Sequence, residues 1–318
     1  MKNRTFFGVP PLSQFGLALG VALAIGTTAP SPGRAAPSQQ CARQCLLDIM
    51  DQYIDAIPTH DRKDLPVAKN VRETVNGRVS DAQSDYFWKL IDGVPYRQVA
   101  ADPSSGQVAL LGVVTEAGAR GPYWLRLKIQ NRQIVDIEQI IGERSAGGVP
   151  GLVSPNPYFD QILPEKSRST REQLLAIADG YFEGLQRHDG SAVQSAPGCR
   201  RFENGNQTSI NPLGNNWPCN QMDDYLYMDK IKERRFPVVD VERGIVVGAM
   251  VIEVSKPKAL PLSTGISAAG QPSQPQAIPL FGRPHDTLIQ EIFKVSDGKI
   301  QEINVIRLDM PYRWGSGW

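Results

Sequence analysis

Two segments of the chain carry apolar side chains at helical spacing, and each segment ends in a histidine followed by an aspartate. Apolar residues recur three and four positions apart over 46–57 and again over 174–185. This spacing gathers them on one face of a helix, so each segment is predicted to form an amphipathic helix. The two helices end in similar sequences, YIDAIPTHD at 53–61 and YFEGLQRHD at 181–189.

Each predicted helix is followed by an Asn-Gly turn and then by several short apolar runs. The first set contains VALLGVV, YWLRLKIQ and IVDIEQII, and the second contains IVVGAMVIEV, TLIQEIFKV and IQEINVIRL. Within these runs, LRLKI and EIFKV alternate apolar and polar side chains, which is typical of a strand with one buried face. A helix followed by several strands is the α+β order, and the chain has it twice.

The spacing between matching residues shows that the second copy has grown by insertion. From residue 53 to 77, the matching residues lie 128 positions later, and the offset rises to 138 at Asp102 and to 166 at Lys128. The extra residues fall within 206–219 and 256–285, which are rich in proline, glycine and polar residues. Insertions of this composition are predicted to lie on surface loops.

The predicted fold class is therefore α+β, with two tandem cones in which a curved antiparallel sheet wraps over its helices. Such a cone leaves a pocket at its open end. The predicted boundaries are a signal peptide over 1–36, a first domain over 37–145, a linker over 146–168 and a second domain over 169–318. We expect the two sheets to pack together as an intrachain pseudo-dimer.

The first 36 residues have the pattern of a secretory signal. Lys2 and Arg4 precede an apolar run over 15–26, which is too short to span a bilayer stably. A retained membrane anchor is the alternative. We expect a secreted or periplasmic protein without membrane contact after cleavage. The balance of 34 basic against 33 acidic residues also favours no nucleic-acid partner.

The four cysteines are predicted to form disulfides, because export brings a chain into an oxidising compartment. Cys41 and Cys45 begin the first predicted helix, where Cα atoms four residues apart lie about 6 Å from each other, within disulfide range. Cys199 and Cys219 enclose a loop of turn residues. We favour these two local pairs, while long-range pairings stay open, and zinc is disfavoured because C-x-x-x-C has no partner motif.

Four residues of the second copy are predicted to carry acid-base chemistry. His285 has no counterpart in the first copy and is expected at the rim of the cone, where imidazole can act as a general acid or base. Glu203 or Asp224 would be its opposite number, because a carboxylate that faces an apolar cavity becomes a usable acid or base. Arg307 would stabilise developing negative charge. Solvated side chains and ordinary ion pairs are the structural alternatives.

Aromatic residues cluster in DYFWKLIDGVPY, in DDYLYMDKI and in the terminal PYRWGSGW. Side chains of this kind can stack on a planar ligand, and ordinary packing is the alternative. The predicted ligand-binding residues are Tyr181, Tyr225, Arg235 and Trp314. We expect a small aromatic or apolar ligand, and further oligomerisation is left open.

Five segments in order, CARQCL, YIDAIPTHD, RRFENGNQT, KERRFPVVDVERGIV and PYRWGSGW, together resemble the tandem family DUF8021. The resemblance covers nearly all of the chain after the signal segment. It implies secretion and a fold similar to nuclear transport factor 2 and the SnoaL-type cyclases. Proteins of that fold include isomerases, cyclases and lyases as well as binding modules without activity. One departure is local, since Glu203 of the second copy is replaced by Val75 in the first.

These observations predict a cofactor-independent lyase or isomerase that transfers a proton within a small aromatic molecule, for example a plant-derived or lignin-like aryl ether. No G-x-G-x-x-G, Walker, G-x-S-x-G or H-E-x-x-H motif occurs, so neither a cofactor nor a metal is predicted. The alternative hypotheses are a secreted small-molecule-binding protein without turnover and a purely structural role. We expect the second copy to hold the more active pocket.

Overall fold

Two six-stranded sheets, each packed against one long helix, form the part of the chain that the computed structural model describes. The described residues are 41–80, 86–149, 151–152, 156–210, 217–255, 258–261, 277–281 and 283–318. The predicted signal segment and most of the second predicted insertion lie outside these ranges. The predicted domain boundaries within the remaining chain stay a prediction.

The described residues of the first copy form two α-helices and six strands. They are α1 (Arg43–Ala56), β1 (Val67–Val75), β2 (Arg78–Val79), α2 (Tyr86–Leu90), β3 (Gly93–Asp102), β4 (Gln107–Glu116), β5 (Ala119–Gln130) and β6 (Gln133–Ile141). The strand order across the sheet is β2-β1-β6-β5-β4-β3. A short helix, α3 (Pro157–Asp160), lies in the connection to the second copy.

The second copy repeats this arrangement with an added hairpin. It contains α4 (Arg171–Arg187), β7 (Ser195–Glu203), β8 (Asn206–Gln207), β9 (Lys230–Asp240), β10 (Ile245–Val254), β11 (Lys258–Pro261), β12 (Ala277–Phe281), β13 (His285–Ser296) and β14 (Lys299–Pro311). The sheet order is β8-β7-β14-β13-β10-β9, which matches the first copy strand for strand. The additional strands β11 and β12 pair with each other in the second predicted insertion.

The α+β class, the tandem cones and the sheet-to-sheet pseudo-dimer are confirmed, but each sheet is mixed rather than wholly antiparallel. The last long strand of each copy returns beside the first strand of that copy in the same direction, as β6 does beside β1 and β14 beside β7. The other long-strand pairs are antiparallel. This parallel pair joins the Asn-Gly hairpin to the meander that follows it in the chain.

The two predicted helices form where the apolar spacing placed them. α4 begins with a capping box, in which the Thr170 side chain accepts from Gln173 N and the Gln173 side chain accepts from Thr170 N. It ends at His188, and the first helical segment ends at His60. Both histidines have left-handed backbones, with φ of 56° and 55°. The repeated histidine therefore marks a helix C-terminus.

Over the described residues 61–66 and 189–194, no helix follows the aspartates that come after these histidines. Instead, the Asp61 carboxylate accepts from Lys63 N at 2.9 Å, and the Asp189 carboxylate accepts from Ser191 N at 2.9 Å. A side chain that bonds to the backbone two residues later forms a local turn, which replaces a helical start.

Buried apolar residues form one cluster inside each copy and a third cluster between the sheets. The first two surround α1 and α4. The third contains Trp124 of β5, Val238 of β9 and Ile306 of β14. Strands that are buried on both faces therefore lie at the centre of the molecule.

Two ion pairs join the copies in a reciprocal way. Arg43 at the start of α1 contacts Asp240 of the second copy at 2.6 Å, and Arg171 at the start of α4 contacts Asp102 of the first copy at 2.7 Å. The two arginines are equivalent under the repeat, and so are the two aspartates. Such reciprocity is the signature of an interface with two-fold symmetry.

Both predicted local disulfides are present. The Cα atoms are 5.3 Å apart in the pair Cys41–Cys45 and 5.8 Å apart in the pair Cys199–Cys219. The second bond attaches the loop after β8 to β7.

Candidate functional site

A small cavity lies inside the second copy, between α4, one face of the sheet and residues 222–228, which we call the cover segment. Its volume is about 30 Å³. A space of this size accommodates about two water molecules. Six apolar side chains line it together with eight polar ones, which are Tyr181, Arg201, Glu203, Tyr225, Tyr227, Thr287, Glu291 and Arg307.

Strand register places the two lining carboxylates on the same face of the sheet. Val305 of β14 pairs with Glu203 of β7 on one side and with Glu291 of β13 on the other. Residues directly opposite each other on neighbouring strands point to the same face. Since neighbouring strands are about 4.8 Å apart, the Cα atoms of the two glutamates are roughly 10 Å apart.

Glu203 lies between two arginines. One carboxylate oxygen is 3.4 Å from Arg201 Nε, and the other is 3.5 Å from Arg307 Nη1. The Thr208 hydroxyl donates to the first oxygen at 3.3 Å. The negative charge of Glu203 is therefore shared between two guanidinium groups.

Arg201 is buried beneath the cover segment. It is 4% exposed, its Nη1 donates to the Tyr181 hydroxyl at 3.3 Å, and its guanidinium carbon is 4.9 Å from the centre of the Tyr225 ring. Burial raises the pKa of Tyr181, and it also raises the pKa of Tyr227 to about 12. Both tyrosines therefore stay protonated at neutral pH and can donate hydrogen bonds.

Glu291 has a different environment from Glu203. Glu291 is 3% exposed, and its Oε2 makes no hydrogen bond with any residue in the described part of the chain. Burial raises the pKa of the Glu291 carboxyl to about 8, with Arg201 opposing this shift and Glu203 adding to it. The side chain is consequently a neutral acid at neutral pH.

Arg307 joins the cavity to its rim. Its Nη2 donates to Asp309 at 3.1 Å, and the Thr287 hydroxyl donates to the same Asp309 oxygen at 2.8 Å. Asp309 does not line the cavity, and its side chain is half exposed. Solvent therefore screens this partner of Arg307.

Four of the residues predicted for the site are brought together around this cavity. They are Glu203, Arg307, Tyr181 and Tyr225. Arg235 and Trp314 lie elsewhere. Arg235 forms an ion pair with Glu138 of the first copy at 2.6 Å, and Trp314 Nε1 donates to Asn76 O at 2.7 Å.

His285 lies on the same face of β13 as Glu291 but six residues earlier, which is about 20 Å along a strand. Its Nδ1 is 3.0 Å from Arg283 O, and its side chain is not among those that line the cavity. Asp224 belongs to a short 3-10 turn over Asp223–Tyr225, and its side chain lies outside the described residues. The acid-base roles of both residues stay predictions.

The sequence analysis missed Arg201, Tyr227 and Glu291. The signal for Glu291 was present, because it belongs to the alternating run EIFKV and is matched by Leu125 in the first copy. A charge in one copy where the other has an apolar residue indicates a position that the shared fold does not require.

Three charged cavity residues of the second copy are apolar in the first. The registers of β1, β5 and β6 give the equivalent positions, because Gln139 pairs with both Val75 and Leu125 as Val305 does with the two glutamates. The equivalent pairs are Glu203 and Val75, Glu291 and Leu125, and Arg307 and Ile141.

Aromatic side chains fill the corresponding region of the first copy. Phe87 of α2 stacks on Tyr123 with ring centres 5.3 Å apart, and Trp88 meets Tyr53 edge to face at 5.1 Å. Both α2 residues are 4% exposed. These side chains pack where the second copy has its cavity.

Glu73, a buried carboxylate of the first copy, is hydrogen-bonded through both of its oxygens. Glu73 accepts from Arg62 at 3.0 Å and from the Gln139 amide at 3.0 Å, and the Tyr123 hydroxyl donates to Gln139 at 2.8 Å. Glu73 and Gln139 of the first copy therefore form a hydrogen-bonded network within its core.

The fold and the cavity define a class of protein, a tandem α+β cone protein with a polar cavity in its second copy. Residues 167–307 match the family described as "Domain of unknown function (DUF8021)". The predicted resemblance is thus confirmed for the second copy. No curated protein matches the chain.

Several solved structures are similar to parts of the chain. A candidate polyketide cyclase from Xanthomonas campestris pv. campestris is 16% identical, with 31% of this chain and 90% of that chain covered and a TM-score of 0.26. A candidate SnoaL-like polyketide cyclase from Jannaschia sp. is 14% identical, with coverages of 46% and 90% and a TM-score of 0.27. An NTF2-like protein from Burkholderia thailandensis is 12% identical, with coverages of 42% and 90% and a TM-score of 0.24.

Among the described residues, no helix combines the length and the apolar character needed to cross a membrane.

Proposed function

We propose that the cavity of the second copy is the active site of a cofactor-independent lyase or isomerase that transfers a proton within a small molecule. The observation that carries this proposal is the pair of carboxylates in unlike environments. Glu203 is paired with two guanidinium groups, and Glu291 is buried without such a partner. Two carboxyl groups in unlike surroundings, one ion-paired and one buried, are a usual arrangement for an acid and a base in one site.

The roles follow from the two environments. Neutral Glu291 would donate a proton to the substrate, and ionised Glu203 would accept one. Arg307 and Arg201 would stabilise the negative charge that develops on an enolate or phenolate oxygen, because a buried cation acts strongly where water is excluded. The tyrosine hydroxyls would orient the substrate.

The proposed substrate is a small aromatic molecule, with a plant-derived or lignin-like aryl ether as the candidate. Tyr225 and Tyr227 of the cover segment lie with ring centres 6.0 Å apart above the cavity. Pockets for molecules of this kind have volumes of about 300 Å³ or more. The cover segment would therefore have to move outward before such a substrate could enter.

The small size of the cavity favours a second candidate, an exported binding protein without turnover. A cavity of about 30 Å³ lined by both polar and apolar side chains can hold a small ligand. In either case we propose that the chain is exported, because two disulfides are stable in an oxidising compartment.

The test is incubation of the full chain with aromatic ethers and hydroxyketones, followed by mass spectrometry. The variants are Glu291→Gln and Glu203→Gln, with the exposed Glu165→Gln as a matched control. General acid-base catalysis contributes about 10² to 10⁴ in rate, so each cavity variant should lose turnover by that factor while the control keeps it. Retention of a compound without conversion supports the binding protein. Equal turnover in all variants contradicts the proposed active site.

A further inference from the structure

The hydroxyl group of Thr208 connects two charged residues of the cavity from outside its lining. It accepts a hydrogen bond from Arg201 Nε at 3.0 Å and is 3.3 Å from Glu203 Oε1, to which it can donate. Arg201 and Glu203 both line the cavity, whereas Thr208 is not among the lining residues. Thr208 therefore contacts the polar groups of the site without lying where a ligand would lie.

The direction of the two hydrogen bonds follows from the groups around the hydroxyl. Arg201 Nε can only donate, and a hydroxyl group has a single proton to give in return. Two acceptors lie within its reach, Glu203 Oε1 at 3.3 Å and the Arg201 carbonyl oxygen at 3.5 Å. The carboxylate is closer and charged, and a charged acceptor makes the stronger hydrogen bond. The hydroxyl proton therefore points to Glu203.

This bridge makes the two oxygens of Glu203 unequal. Arg201 Nε is closer to the Thr208 hydroxyl, at 3.0 Å, than to Glu203 Oε1, at 3.4 Å. The hydroxyl thus connects the guanidinium group to Oε1 of the carboxylate. The other oxygen, Oε2, contacts Arg307 Nη1 at 3.5 Å. Oε1 is consequently the anchored oxygen, and Oε2 is the more available one.

The first copy has the same backbone turn without this bridge. Thr208 N and Ser80 N, 128 positions apart, each donate to the carbonyl oxygen seven residues earlier, at 2.8 and 2.9 Å. Ser80 also has a hydroxyl group, but Val75 stands where the second copy has Glu203, so its side chain offers no acceptor. The shared fold therefore requires the backbone hydrogen bond, while the bridge to a carboxylate belongs to the second copy.

We propose that Thr208 is a positioning residue of the cavity, whose hydroxyl holds Glu203 Oε1 and leaves Oε2 as the oxygen that accepts the substrate proton. The inference rests on the proposed function, in which Glu203 is the base. In that step a C–H bond of the substrate breaks and an O–H bond forms at Oε2. The electron pair of the broken bond stays on the substrate as an enolate.

The experiment compares the full chain with three variants. Thr208→Val keeps the branched shape of the side chain and loses the hydroxyl, and Thr208→Ser keeps the hydroxyl. Ser80→Ala removes the hydroxyl at the equivalent position of the first copy and is the matched control. If urea denaturation shows that Thr208→Val does not fold, Thr208→Ala removes the same hydroxyl without a methyl group in its place.

The first measurement needs no substrate. It is the carbon NMR signal of the Glu203 carboxyl in the full chain, assigned with Glu203→Gln. The signal should move in Thr208→Val, because the carboxylate loses a hydrogen bond, and it should keep its position in Thr208→Ser and Ser80→Ala. An unchanged Glu203 signal in Thr208→Val would overturn the inference.

The second measurement is the turnover of an aromatic ether or hydroxyketone that the full chain converts. A hydrogen bond to a charged group corresponds to a factor of about 10 to 100. In Thr208→Val, kcat should therefore fall by about tenfold or more, while KM changes by less than about threefold. Thr208→Ser should recover kcat. Equal losses in the valine and serine variants, or a change in KM alone, would contradict a role of the hydroxyl in positioning the base.

The result can be told apart from the fate of the proposed function. A Glu203 signal that moves in Thr208→Val, without turnover of any compound, supports the positioning of Glu203 and contradicts the reaction. Turnover that is lost in Glu203→Gln but is equal in Thr208→Val and the unmodified chain supports the reaction and contradicts the inference.

Discussion

The two glutamates of the cavity show how surroundings assign different chemistry to one residue type. Glu203 contacts two guanidinium groups and is half-buried, whereas Glu291 is 3% exposed and its Oε2 makes no hydrogen bond in the described chain. Burial destabilises the charged form of such a group, so the uncharged acid is favoured. This contrast between an ionised and a neutral carboxylate is the basis of the proposed proton transfer.

Glu291 should make the folded state less stable as the pH rises. Its folded pKa of about 8 lies above the ordinary value of 4.5, so its stabilising contribution is complete below 4.5 and is lost as the pH rises through about 8. Over that window the unfolded chain binds fewer protons, and the group contributes a fall of about 1.4 kcal/mol per pH unit. Urea denaturation at several pH values measures this slope.

The matched variant for this prediction is Glu291→Gln, which cannot ionise. Its free energy of unfolding should fall less steeply across the same pH range. If the free energies of unfolding of the unmodified chain and of Glu291→Gln change in parallel with pH, the pKa of Glu291 is not raised in the folded protein and the prediction is wrong.

At the scale of elements, the repeat predicted much of the fold because its signals are periodic. The spacing of residues close together in the chain was enough to predict the apolar faces of α1 and α4, the Asn-Gly hairpins and the two disulfides. The parallel pairing of β6 with β1 was not predicted, because it depends on a contact between strands far apart in the chain. Glu291 was missed for a related reason. β13 is buried on both faces, so its pattern alone does not say which residues face the cavity.

The disulfide Cys199–Cys219 should hold the cover segment in place. It closes a loop with a sequence separation of 20, whereas Cys41–Cys45 has a separation of 4. Loop-closure entropy predicts a loss of about 3 kcal/mol when Cys199–Cys219 is replaced by serines and about 2 kcal/mol when Cys41–Cys45 is replaced. Thermal or urea denaturation of the two double-serine variants checks this difference.

Hydrogen exchange adds a local test of the same bond. Residues 222–228 should exchange faster in the Cys199→Ser, Cys219→Ser variant and remain unchanged in the Cys41→Ser, Cys45→Ser variant. Unchanged exchange of the cover segment in both variants would show that other contacts fix it.

The whole molecule has the interface of a two-fold dimer within one chain. Asp102 and Asp240 are buried, and each accepts from an arginine at the start of the other copy's long helix. Since the pairs are equivalent, Asp102→Asn and Asp240→Asn should destabilise the protein by similar amounts. A hydrogen bond to a charged group is worth about 1.5 to 3 kcal/mol, and the half-buried arginines put the loss near the lower value.

Double-mutant cycles measure this symmetry. The pairs Arg43 with Asp240 and Arg171 with Asp102 should have similar coupling energies, while Arg43 with Asp102 should be nearly additive. Strong coupling in one pair and none in the other would contradict an interface inherited from two equal modules.

In the described part of the chain, three of the four charged cavity positions of the second copy are apolar in the first, and the fourth, Arg201, is matched by Glu73. Aromatic side chains fill the first copy, and the second keeps a cavity with Glu203, Glu291, Arg201 and Arg307. Under the proposed function, the first copy contributes stability and the second copy carries the chemistry. This division also explains why residues shared by both copies, such as the two helix-ending histidines, report on the fold.

The central claim is that the second copy buries a carboxylic acid that is neutral at neutral pH. The most direct measurement is a carbon NMR titration of the glutamate side-chain carboxyls in the full chain, with Glu291→Gln to assign the signal. The account predicts one signal that titrates near pH 8 and is absent from the variant. Titration of every glutamate near its ordinary value would contradict the account.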